Sequence, residues 1–123
     1  LAIAGNLLAA AVCAAMVVLP PDDLVRSAVM LAAICLLTCT YALIISHGRA
    51  FFPPHQIGRG VTLMNLCGMV GVGLSQMLTG GLHERVLAAG GSYEQAYDWI
   101  FLFYAVALTL GVAIYAWAPD RTD

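Results

Sequence analysis

The chain has 123 residues, of which 62% are hydrophobic and 10% charged, with a formal net charge of −2. A water-soluble domain of this length needs far more polar side chain to cover its surface, so that class is excluded. The near-neutral balance also supplies no extended field for nucleic acid or an acidic surface, and lysine is absent, leaving arginine as the only strong cation.

Charge position decides the class. All twelve charged residues fall at 22–26, 49–59, 84–98 and 120–123, which leaves Leu1–Leu19, Ser27–Ser46, Val61–Leu82 and Trp99–Ala118 uncharged. Each stretch has about the twenty residues that a helix needs to cross roughly 30 Å of hydrocarbon. The pattern predicts an all-α membrane protein with four transmembrane helices over about 1–19, 27–46, 61–82 and 97–118. The first stretch lacks the basic start of a signal peptide and is longer than the usual apolar segment of one. It begins on Leu1 with no flank, which reads as a fragment of a longer chain.

The connections follow in order. In "LPPDDLVR" at 19–26, the prolines stop the first helix, and Asp22 or Asp23 can cap the second. "HGRAFFPPHQIGRG" at 47–60 is the second connection: Pro53-Pro54 cannot lie inside a helix, and Phe51, Phe52 and Arg49 suit the membrane–water interface. The third connection, 83–98, contains "SYEQAYDW", where Ser92 and Gln95 have capping-box spacing and place the last helix start near Tyr93. Trp99 and Trp117 bracket that span like an aromatic belt, and "APDRTD" forms a polar tail. Arg49, Arg59 and Arg121 lie on one side against Arg26 and Arg85 on the other, which favours a cytoplasmic 47–60 connection and C-terminus.

The third span, "GVTLMNLCGMVGVGLSQMLTGGL", differs from the others. Cys67, Gly71, Ser75 and Thr79 recur every four residues as a small-residue stripe on which a neighbouring helix can pack closely. Asn65 and Gln76 are eleven residues apart, which returns them to nearly the same face about 16 Å apart. Amides in that position are costly to leave toward lipid. They either hydrogen-bond other helices or line a solute pathway. Cys35, Thr38 and Tyr41 give the second span a milder polar face, where a hydroxyl usually bonds its own backbone.

Other chemistries find no footing. Cys35 and Cys39 are one helical turn apart, where a disulfide would distort the helix, and the four cysteines show no metal-ligand spacing. His47, His55 and His83 read as interfacial residues without a third ligand nearby, so neither a metal nor a cofactor is expected. The nucleophile-elbow, phosphate-loop and zinc-protease motifs are absent, and no expected span carries an ionisable catalytic pair, so no enzyme is expected.

The run "FPPHQIGRGVTLMNLCGMVGVGLSQMLTGGL", followed by "YEQAYDWIFLFYAVAL", resembles the last part of a major facilitator superfamily transporter over residues 41–117. The matching features are a proline-containing loop, an Arg-Gly pair opening a Gly-rich helix, and a Tyr-rich start to the final helix. The resemblance implies that the four spans are the ninth to twelfth of twelve, a partial bundle in a bacterial inner membrane. It implies secondary transport of a small solute by alternating access, with the lipid bilayer and the missing N-terminal helices as partners. In that architecture the tenth and eleventh helices approach the cavity, which makes Asn65, Gln76, Met69, Thr38 and Tyr41 its candidate lining. The competing expectation is a complete four-helix membrane protein that serves as an assembly or scaffold subunit.

Overall fold

The computed structural model describes residues 2–19 and 23–117. Pro20, Pro21, Asp22 and the tail from Ala118, with Arg121, lie outside the described residues. The fold is all-helical: α1 (Ala2–Val18), α2 (Leu24–Leu37), α3 (Tyr41–Arg49), α4 (Ile57–Ala88) and α5 (Tyr93–Ala116), with one 3-10 turn at Pro54–Gln56. The α2–α3 pair forms one interrupted rod, Leu24–Arg49, so the rods number four. Three of them, Leu24–Arg49, Pro54–Ala88 and Tyr93–Ala116, are long and apolar enough to cross a membrane. The 17 described residues of α1 make a shorter apolar helix of about 26 Å.

The rods close into a ring. α5 packs on α1 and α4, α1 packs on α2, and α3 packs on α4. The most extensive contact is that of α1 with α5, where Ala10 and Ala105 lie near each other, and the buried residues of both helices are mostly small: Ala9, Ala10 and Cys13 in α1, Ala96 and Ala105 in α5. Small residues let helices approach closely, and dispersion then holds them together where lipid offers no hydrophobic drive. The outer surface is apolar, with Leu24 85%, Leu36 78% and Ile114 75% exposed. Such a surface is stable against acyl chains and not against water.

The second span is not continuous, contrary to a single helix over 27–46. Asp23 caps α2 by accepting from the Arg26 backbone N–H at 2.6 Å, but the helix stops at Leu37. No proline causes the stop. The Thr38 hydroxyl donates to the Ile34 carbonyl at 2.8 Å and lies 3.3 Å from the Cys35 carbonyl, competing with the backbone for its own acceptors. Thr38 and Thr40 both take turn conformations, and α3 restarts when Leu43 and Ile44 donate to the Thr40 carbonyl.

The third span is longer than the expected 61–82. α4 runs for 32 residues, about 48 Å, so its ends project beyond a hydrocarbon core of roughly 30 Å. Arg59 at one end and Glu84 and Arg85 at the other therefore stand outside that core. The expected connection 83–98 shrinks to a turn at 89–92, with Gly90 at φ +83°, a backbone conformation natural to glycine. α5 begins at Tyr93 behind a complete capping box: the Ser92 hydroxyl accepts from the Gln95 N–H, and the Gln95 side chain accepts from the Ser92 N–H.

Candidate functional site

Two polar crossings meet at the interruption of the second rod. Asn6 of α1 donates through Nδ2 to the Thr40 hydroxyl at 3.1 Å and to its own Ala2 carbonyl at 3.0 Å. One residue further on, the Tyr41 hydroxyl donates to Oδ1 of Asn65 in α4 at 2.6 Å. Glycines make both approaches possible. A Cβ on Gly5 would come within 2.8 Å of the Leu37 carbonyl oxygen, and one on Gly68 would come within 3.2 Å of the Tyr41 hydroxyl.

The α3–α4 contact continues along one face of α4. A Cβ on Gly60 would press on the Phe52 ring at 2.5–2.6 Å, and one on Gly48 would collide with the Met64 sulfur. Gly60, Met64 and Gly68, spaced every four residues, therefore let α3 and its following turn lie close against α4. The other stripe, Cys67, Gly71, Ser75 and Thr79, is engaged at one end: Thr79 is buried, Ser75 half-buried, and Cys67 and Gly71 exposed. Nothing lies within 4 Å of a Cβ built on Gly71.

Asn65, Met69 and Gln76 share the flank of α4 beside that face, as the uninterrupted helix requires. All three are exposed, Met69 to 71%. Asn65 bonds Tyr41, whereas the Gln76 side chain makes no hydrogen bond to another described residue and borders a shallow cavity of about 410 Å³ with Thr79, His83 and Tyr97. Of the five residues expected to line a cavity, the structure joins Tyr41 to Asn65 directly. Thr38 lies three residues away at the helix break and turns its hydroxyl onto its own backbone.

The sequence reading missed a tyrosine stripe on α5. Tyr93, Tyr97, Tyr104 and Tyr115 fall within an arc of about 40° at roughly 100° per residue, and so form one face of the helix. Their offsets of four, seven and eleven residues were visible beforehand. Histidines contact both ends of this stripe. His83 places its ring 5.7 Å from that of Tyr97 and 6.1 Å from that of Tyr93. His47 lies 5.6 Å from Tyr115 and 5.4 Å from Phe51, and its Nε2 is buried without a partner. Neither is a connection residue: His47 belongs to the last turn of α3, and His83 lies within α4. The helices extend further than a count of uncharged residues allows, so both histidines are helical and half-buried against aromatic rings. His55 stays exposed beside Gln56.

Inside the ring, all four rods border a second cavity of about 450 Å³. Asn6, Ile44, Ser75, Tyr104, Gly111 and Tyr115 stand around it. None of the described residues that line it is charged, and no group of three His, Cys, Asp or Glu residues is gathered anywhere among the described residues. What the arrangement can do chemically is bind through amides, hydroxyls and aromatic faces. No family model, curated protein or solved structure matches the chain.

Proposed function

We propose that this chain is part of a secondary active transporter of the major facilitator superfamily, moving a small solute by alternating access. The α4 flank of Asn65, Met69 and Gln76, together with Thr38 and Tyr41 on the interrupted rod, forms one wall of the solute cavity. The observation that carries this reading is the Tyr41–Asn65 hydrogen bond at an interruption in an apolar rod, on a flank where Asn65, Met69 and Gln76 are all exposed. Irregular backbone at membrane depth is tolerated where protein buries it or a wet cavity solvates it. Polar side chains at that depth usually mark a pathway or an interhelical bond. Further helices of the same protein complete the cavity on the open side. The 47–60 connection and the C-terminus face the cytoplasm of a bacterial cell, on the arginine distribution.

The test is a solute screen on the full-length protein in proteoliposomes, with and without a pH gradient, followed by Asn65→Ala and Gln76→Ala. Both substitutions are expected to raise KM or lower the maximal rate for the solute that is found. Unchanged uptake kinetics in both variants would remove the cavity assignment. The competing reading, an assembly subunit, gains if the same substitutions leave transport absent throughout and instead release a co-purifying membrane partner.

A further inference from the structure

We propose that the cavity inside the helix ring is a binding site for a neutral aromatic amphiphile, separate from the α4 flank and independent of the transport reading. Three features specify the ligand. None of the described residues lining the cavity is charged, so an ion would lose its hydration with no counter-charge from them in return. Most of the lining is aliphatic or aromatic, and the volume of about 450 Å³ lies in the range of small-molecule pockets. The polar groups are few and unspent.

Asn6 commits its amide nitrogen to Thr40 and Ala2, which leaves Oδ1 as an acceptor. The hydroxyls of Ser75, Tyr104 and Tyr115 make no hydrogen bond to another described residue, so each can donate to or accept from a guest. A plain acyl chain would fill the volume and leave these groups unanswered, at a cost for each. A ring bearing one hydroxyl satisfies them and stacks on Tyr104 or Tyr115. The cavity is open rather than sealed: Ile3, Ile44 and Tyr104 in its lining remain 38%, 36% and 36% exposed, so a ligand can reach it without the helices parting. Gly111 lines the cavity and leaves it wider, since nothing lies within 4 Å of a Cβ built there. The tyrosine stripe thereby gains a role beyond packing, with two of its rings forming one wall of the site.

The experiment uses the full-length protein in liposomes, irradiated with the neutral photoprobe hydroxymethyl-benzophenone, with adducts located by peptide mass spectrometry. Labelling is expected to saturate, to be competed by excess biphenylmethanol, and to concentrate on Ile3, Leu108 and Val112. Gly111→Leu adds bulk to the lining while favouring the helix, and should abolish the saturable component. Tyr104→Phe keeps the shape, removes one hydroxyl, and should weaken half-saturation about two- to ten-fold. If Gly111→Leu fails to fold, Tyr104→Phe decides alone. Unsaturable labelling spread over outward residues such as Leu63 and Ile114 overturns the proposal. Saturable labelling that Tyr104→Phe leaves unchanged overturns it too.

Discussion

The Tyr41–Asn65 bond is the most direct test of how the interrupted rod is held. At 2.6 Å it is at the short end for two oxygens, and it joins exposed side chains of two helices. Interhelical hydrogen bonds in membranes couple by about 0.6 kcal/mol on average and up to about 1.7. The short distance and the close support from Gly68 place this one in the upper half, at about 1–1.5 kcal/mol. Tyr41→Phe removes the donor and strands Oδ1 of Asn65. Asn65→Leu removes the acceptor and leaves the phenol free to turn away. The double variant loses no more than the bond once, so it should be more stable than the sum of the singles predicts, by that coupling energy. The assay is reversible unfolding of the full-length protein in mixed micelles with increasing dodecyl sulfate. Gly68→Ala, which sets a methyl 3.2 Å from the Tyr41 hydroxyl, should shrink the coupling. Additivity of the two singles to within about 0.3 kcal/mol would refute the reasoning.

Gly5→Val should destabilise by about 1–3 kcal/mol, because its Cβ meets the Leu37 carbonyl oxygen, which is backbone and cannot swing aside. Gly71→Ala, with open space around it, should be neutral or stabilising by up to about 1 kcal/mol in the same unfolding assay. Ser92→Ala breaks the capping box and should cost about 1 kcal/mol, read as faster hydrogen exchange at the Gln95 amide; Ser92→Asp should restore protection.

Much of the architecture is visible in the sequence because its causes are local. The capping box needs only Ser92 and Gln95 three residues apart, and it forms where the spacing puts it. Charge clusters mark where rods end within a few residues, but they misplace both ends of α4. A helix continues into water as long as its backbone is satisfied, and "HERVLA" contains no breaker before Gly90. The break at Thr38–Thr40 was not legible, since threonine within a membrane helix ordinarily bonds backward without ending it. What tips the balance here is tertiary: α1 supplies Asn6 to Thr40 and a glycine to the Leu37 carbonyl. The Asn65–Gln76 alignment follows from helix periodicity, whereas the partner of Asn65 depends on where α3 lands. Equally, the hydroxyl face of α5 was periodic in the sequence, but its closure into a cavity depends on three other rods.

The interruption between α2 and α3 also has a consequence for biogenesis. With 14 and 9 residues, neither half is long enough to cross the bilayer by itself, so the segment must enter as one continuous apolar rod. Thr40 then gains its partner only when α1, already in place because it is made first, docks with Asn6 and Gly5 against it. On this reasoning the interruption is completed by the docking of α1. A chain that lost α1, or carried a bulky residue at position 5, is expected to keep a more continuous second rod and to present Tyr41 to α4 in a different register.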